Sequence, residues 1–335
     1  MGAFRILVAA VVAIAATIAP HAARTLARFE YSQPHMGTLV RIVLYAPDAP
    51  TADAAAQAAF SRITVLDETL SDYRDSSELI QVSRQSGGGP IEVSDDLFRV
   101  LRVAQRVARE SDGAFDVTVG PLSVLWRHAR RVRELPDAAS VAEARARVGR
   151  DKLQLDEQRH TVRLTTPAMQ LDLGGIAKGF AADEAAAVLT QRGIGAALVA
   201  AGGDIVATGP PPGQRGWRVA VASIEGADRP AGYLNLRDAA VSTSGDAEQF
   251  VVLGGVRYSH VFDPRTGAAL TGRRSTTVVA RDGMTADALD TAVSVMGAIK
   301  GLTLVESTPG AAVLVVEETD GVTRAHESSR WRAAR

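Results

Sequence analysis

The sequence predicts an α+β fold, with mixed or antiparallel sheets and packed helices, not a regular βαβ alternation. Three observations point there. Helical stretches concentrate before residue 192, short strand-like pieces follow one another closely after it, and no internal repeat divides the 335 residues. A chain of this length can bury a full core, in one large domain or two modest ones.

The elements follow in order. Arg5 precedes an apolar run, Ile6 to Ala19, and Pro20 and the small residues of "HAARTLA" come after it. The run is short for a transmembrane helix and has the charged start and small-residue exit of a secretory signal. Residues 1–27 are therefore expected to be a signal peptide ending at Ala27, or an uncleaved anchor. The protein is expected to be exported, to the periplasm or the periplasmic face of the inner membrane. "TLVRIVLYA" (38–46) alternates as a strand, and 53–70 is an Ala-rich amphipathic helix. Residues 71–78 read as loop, "SGGGP" as a turn, and 95–110 as a helix capped by Ser94 or Asp95.

"LPDAAS" (135–140) breaks the next helical stretch. Short strands near 152–155 and 161–164 lead to "MQLDL" and to a helix over about 176–192. Strand-like pieces then run from "AALVA" through "DIVATG", "WRVAVA", "YLNL", "AAVSTSG" and "QFVVLGGVRYSHVFD" to "STTVVA", with a two-residue hairpin at Gly254–Gly255. Helices at 285–298 and near 300–307 and the strand "AAVLVV" complete a domain spanning 28–325. Residues 326–335, polar and arginine-rich, read as a disordered tail.

Composition removes several classes of function. The chain has no cysteine, so disulfides, zinc-thiolate and iron–sulfur sites, a thiol nucleophile and a lipidated-cysteine anchor are all excluded. A net charge of −1 argues against a nucleic-acid binder.

Five stretches could carry chemistry. "LDLGGIAKGF" (171–180) runs from an apolar strand pattern through Gly174–Gly175 to Lys178 at a helix start. A glycine turn at a helix N-terminus suits an anion, although the spacing is not that of a nucleoside-triphosphate loop; an ordinary tight turn reads equally well. "SDGAFDVTVGPL" (111–122) sets Asp116 in an apolar segment, either a loop entering a strand or a carboxylate at a pocket wall. "VSTSGD" (241–246) ends a strand in small residues that allow close approach to the backbone. "YSHVFDPRTG" (258–267) places His260 before a strong turn, a residue type whose proton exchanges near neutral pH. In "TADALDTAVSVMG" (285–297) Asp287 and Thr291 share a helix face, with Asp290 and Ser294 beside it. A carboxylate and a hydroxyl one turn apart can give Mg²⁺ two oxygen ligands, or they can form a solvated face.

Together, and in this order, these pieces resemble the ApbE-like family, the FAD:protein FMN transferases. The match runs from "HMGT" (35–38) through "SDYRDSSEL", "GAFDVTVGPL", "LDLGGIAKGF", "ALVAAGGDI", "STSGD" and "SHVFDPRTG" to "ADALDTAVSVMG". The resemblance implies an Mg²⁺-dependent enzyme, secreted or membrane-associated, that splits FAD at its pyrophosphate. It joins FMN to a threonine hydroxyl of a target protein, an exported flavoprotein or electron-transfer subunit, and releases AMP.

By the same resemblance Met36, Tyr73, Ala114, Phe115, Asp116, Asp172, Lys178, Phe262 and Asp290 would border the nucleotide. Asp287, Thr291 and the Gly175 carbonyl would hold the metal, and Asp183 is a further candidate. Lys178 would balance the nucleotide's charge or orient the turn. His260 would accept the threonine proton or transiently capture the FMN phosphate. Two positions depart from the family pattern: Ala247 replaces a common aromatic, and "VAAGGD" lacks a common asparagine. Two other readings use the same residues, an FAD pyrophosphatase and a non-catalytic flavin carrier.

Overall fold

The computed structural model describes residues 25–224, 230–245, 250–319 and 321–334. The body of the expected signal segment, up to residue 24, and Ala247 lie outside the described residues.

Strands β1 (Ala27–His35) and β2 (Thr38–Ala46) pair antiparallel across Met36 and Gly37, which have φ of 50° and 71°. Two consecutive positive φ values suit the twist of a hairpin, and Met36 holds that conformation despite the clash its Cβ incurs there. Helix α1 (Ala49–Leu70) begins earlier than its apolar pattern, because the Asp48 carboxylate accepts from the Thr51 N–H and proline occupies the first turn. Helix α2 (Glu78–Arg84) and strand β3 (Ile91–Glu92) lead to α3 (Asp95–Glu110), where the Ser94 hydroxyl caps the Leu97 N–H. Helices α4 (Gly120–Val132) and α5 (Ala138–Ala146) are followed by β4 (Leu153–Asp156), β5 (Thr161–Leu164) and α6 (Ala177–Gln191).

The second half supplies β6 (Ala197–Ala201), β7 (Asp204–Ala207), β8 (Trp217–Val221), β9 (Gly232–Leu236) and β10 (Ala239–Gly245). Strands β11 (Phe250–Leu253), β12 (Val256–Phe262), β13 (Ala269–Thr271) and β14 (Arg273–Ala280) follow. Helices α7 (Gly283–Met296) and α8 (Ala298–Ser307), strands β15 (Ala312–Thr319) and β16 (Val322–Glu327) and helix α9 (Trp331–Ala334) end the chain.

Eight strands form one antiparallel sheet in the order β1–β2–β6–β7–β10–β14–β15–β16. Alternation along each strand assigns its faces. Ile42 and Leu44 pack with Ala52, Ala59 and Ala185 of α1 and α6, whereas Val43 between them faces Leu198, Trp217 and Leu234. In β15, Val313 and Val315 join the helical core, while Ala312, Leu314 and Val316 join the opposite one. Helices therefore cover one face, and the β8–β9 hairpin and α9 cover the other. The fold class is the expected α+β arrangement.

One strand was not anticipated, and two local expectations need correction. Strand β1 gives no apolar alternation because most of it is exposed at the sheet edge. "MQLDL" makes one parallel bridge, Gln170 to Val119, and "GAFDVTVGPL" turns straight into α4. A Cβ on Gly120 would lie 2.5 Å from the Gln170 Cβ, so glycine is what lets these segments cross. The tail is folded through residue 334. Trp331 is fully buried, and the Arg330 guanidinium donates to the carbonyls of Val305, Glu306, Thr308 and Ala311. One indole outweighs the polar composition around it.

Trp331→Ala should therefore cost about 3–5 kcal/mol. The Trp331 Nε1 has no acceptor among the described residues, so Trp331→Phe should cost clearly less. Urea unfolding of the two variants measures the difference; equal and negligible losses would mean that α9 does not anchor the sheet.

Candidate functional site

The site forms where α6 meets α7. A Cβ on Gly179 would lie 2.1 Å from the Gly283 carbonyl oxygen and 2.9 Å from the Asp287 Cβ. Only glycines allow this approach, and it lets the Gly179 N–H donate to Asp287 Oδ2 at 3.1 Å. One turn along α7, Thr291 presses against Gly175, where a Cβ would sit 2.6 Å from Thr291 Oγ1. The loop before α6 is held in place from two sides. Asp172 Oδ1 accepts from the Gly174 N–H at 2.8 Å, and Lys178 Nζ donates to the Gly174 carbonyl at 2.9 Å.

Lys178 sits in the first turn of α6, where the helix dipole disfavours a cation by about 0.3–1 kcal/mol. Burial works against its charge as well. Asp204 Oδ2 at 3.3 Å and Asp287 Oδ2 at 3.7 Å reverse the balance and hold the ammonium above the usual lysine value. Asp204 reaches this point because the β6–β7 hairpin turns through Gly202 and Gly203, and a Cβ on Gly203 would meet the Thr243 carbonyl at 2.5 Å.

Asp204, Asp287 and Asp290 are all buried. Burial, with Asp204 nearby, raises Asp287 to about 7 against the pull of Lys178; burial also pushes Asp290 well above the carboxylate range. Asp290 Oδ2 accepts from Ser242 Oγ at 3.0 Å, but Asp290 Oδ1 and Asp204 Oδ1 have no partner among the described residues. Unsatisfied buried carboxylate oxygens beside a hydroxyl and a tight glycine turn fit a hard cation bound through oxygen. No three His, Asp or Glu side chains among the described residues converge as a metal site. The available set is thus one carboxylate, one hydroxyl and one backbone carbonyl, a set suited to an ion that keeps water or phosphate ligands.

A second cluster adjoins the glycine turn. Arg127 of α4 bonds Asp172 Oδ2 at 3.1 Å, pairs with Asp72, and stacks its guanidinium 4.5 Å over the Tyr73 ring. Tyr73 is 75% exposed, so one edge of this aromatic shelf is open to a ligand. Burial, and then Asp172, raise Asp72 despite the pairing. Sequence reading named neither Asp72, Arg127, Asp204 nor Ser242. Asp72 sat in view in "SDYRDSSE", but its pairing depends on an arginine that only the fold brings near.

This geometry has counterparts. The ApbE family model matches residues 36–315. The chain belongs to the ApbE family. An FAD:protein FMN transferase of Treponema pallidum is 35% identical over 86% of this chain and 84% of its own. One from Klebsiella pneumoniae is 31% identical over 85% and 83%. The solved flavin transferase ApbE of Vibrio cholerae superposes with a TM-score of 0.83 at 30% identity, covering 93% of this chain and all of that one. The ApbE protein of Thermotoga maritima gives 0.82 at 31%, covering 92% and 99%.

Against the expectations drawn from ApbE resemblance, the fold brings Gly175, Lys178, Asp287, Asp290 and Thr291 into one cluster, with Asp172 at its edge. Ala114 and Phe115 are buried, and the Phe115 ring lies in the helical core, so a ligand there would meet backbone. Asp116 accepts from the Thr118 N–H and hydroxyl, and burial raises it. Met36 caps the β1–β2 turn and packs partly on the helical core. His260 and Phe262 lie on β12, in the small β11–β12–β13 sheet, and β12 contacts α7. Asp183 has a different task. It accepts the Gly283 N–H at 2.6 Å and the Met284 N–H at 2.9 Å, holding the start of α7.

Burial raises Asp183 to about 7, and its two N–H bonds offset only part of that. The folded chain therefore binds a proton that the unfolded chain releases near 3.8. This contribution is complete below about pH 4 and lost as the pH rises through about 7. Metal-free protein should lose stability across that window, and Asp183→Asn should flatten the slope; denaturant titrations at several pH values would show it. Gly175→Ala should displace Thr291 with helix content unchanged, and any divalent cation that this cradle binds should bind at least ~10-fold more weakly, as calorimetry and circular dichroism would report.

Proposed function

We propose that this chain transfers FMN from FAD to a threonine hydroxyl of an acceptor protein and releases AMP. The observation that carries the reading is the contact of Gly175 with Thr291 one turn from Asp287, a cradle that no side chain at 175 would allow. Asp287, Thr291 and the Gly175 carbonyl would hold Mg²⁺. When bound, the ion supplies charge neutralisation at the pyrophosphate. Lys178 orients the glycine turn and screens the acids behind it, while Tyr73 and the Arg127–Asp172 pair border the nucleotide.

The threonine oxygen attacks the FMN-side phosphorus, the bridging P–O bond breaks, and AMP leaves with that oxygen. His260 takes the threonine proton. A neutral hydroxyl is a poor nucleophile, so base assistance is worth about 10²–10⁴-fold. We place the reaction outside the cytoplasm, on an exported flavoprotein or electron-transfer subunit. No helix among the described residues is long and apolar enough to cross a membrane, and any inner-membrane association is assigned to the segment at 1–27.

With a threonine-bearing acceptor, AMP and covalent flavin should appear in equal amounts by chromatography and acceptor mass. AMP without labelled acceptor would identify a pyrophosphatase, and FAD binding without AMP a carrier. Asp287→Ala should abolish Mg²⁺-dependent turnover. His260→Ala should bind FAD normally yet transfer at least ~10²-fold more slowly; transfer at the wild-type rate would make His260 structural.

A further inference from the structure

Helix α4 leaves the nucleotide edge of the site as a run of cations, in a chain whose net charge is only −1. Arg127, Arg130 and Arg131 fall at i, i+3 and i+4, on one face, and Arg133 follows at the left-handed C-cap. Arg127 is engaged by Asp72 and Asp172. Arg130 is not: it is half-buried and makes no ion pair among the described residues. Burial and the neighbouring Arg127 pull its guanidinium below the usual arginine value. Arg131 contacts the His128 ring at Nδ1, a neutral acceptor in that bond. Glu143 of α5 pairs with Arg147, while Glu134 and Asp137, the latter bonded only to the neutral Ser140 N–H and hydroxyl, are opposing charges at the end of the run. Clustered like charges repel one another unless an anion joins them.

The chain then turns into a concave, mainly apolar groove lined by Trp126, Leu135, Pro136, Val141, Arg145 and Tyr258. Tyr258 precedes His260 by two residues on β12. The groove shares helix α4 with the cationic face through Trp126 and reaches β12, the strand of the proposed base, through Tyr258.

We propose that the arginine face of α4 and this groove dock an acidic segment of the acceptor protein beside its threonine. The inference rests on the transferase reading and names the partner surface of that same site. A concave path accepts an extended chain, whereas a flat bilayer would touch the arginines and leave the groove empty. Charge along the path steers the encounter and selects the segment, while the apolar floor supplies contact area.

The test uses FAD-loaded protein and three fluorescent peptides that share one threonine and differ only in its flanking residues: Asp and Glu, Asn and Gln, or Lys. Anisotropy should show the acidic peptide binding at least ~10-fold tighter than the neutral one, with the preference lost in high salt. Arg131→Gln/Arg133→Gln, at exposed positions that leave the fold alone, should weaken acidic-peptide binding several-fold, and adding Arg130→Gln should weaken it further. FAD affinity should stay unchanged in the Arg131→Gln/Arg133→Gln variant. Arg131→Glu/Arg133→Glu should shift preference toward the lysine peptide.

Equal binding of acidic and neutral peptides would overturn the proposal. So would a parallel loss of FAD affinity, which would assign the arginines to the nucleotide. Arginine-dependent binding to phosphatidylglycerol vesicles without peptide preference would also overturn it and assign the face to a membrane. AMP release measured alongside reports on the transferase reading separately, since flavin transfer without charge preference defeats only the docking surface.

Discussion

The site depends on one close approach, that of α6 to α7 through Gly179 and Gly283. At 2.1 Å from the Gly283 oxygen there is no room for a β-carbon, so backbone touches backbone there. From that contact the rest follows. Asp287 can take the Gly179 N–H, Asp183 can hold the first two N–H groups of α7, and Thr291 comes to rest on Gly175. A larger separation would leave the Asp287 and Asp183 carboxylates without the backbone donors they now have.

The electrostatics are a compromise built on that packing. Burying Asp204, Asp287 and Asp290 together is costly, and Lys178 offsets part of the cost from a helix position where a cation is otherwise disfavoured. Among the described residues, two of their carboxylate oxygens still lack partners. Buried carboxylate oxygens left without donors are costly, and that cost is consistent with the proposed role of these acids at a ligand site.

The eight-stranded sheet acts as the rigid support. Its helical face positions α6 and α7, and β7 and β10 deliver Asp204 and Ser242 in register, directly opposite one another. The small β11–β12–β13 sheet is separate from it, and β12, the strand that carries His260, contacts α7. Candidate residues thus come from separate layers, with Arg127 of α4 tied to the glycine turn through Asp172.

Much of this was determined by the sequence alone. Alternation in "TLVRIVLYA", the cap at Ser94, the paired glycines at 254–255 and the i, i+4 relation of Asp287 to Thr291 are local, and local rules read them. The ordered motifs also sufficed for the family. What tertiary structure decided is where distance in sequence is largest. Strand β1 lacked a pattern because an exposed edge imposes none. The C-terminal residues looked free until Trp331 was seen in the core. Arg127 joined Asp172, Lys178 met Asp204 and Asp287, and Asp183 became a helix anchor, each through partners that no spacing rule specifies. Periodicity reports which face of an element is buried; only packing reports which charge it meets there.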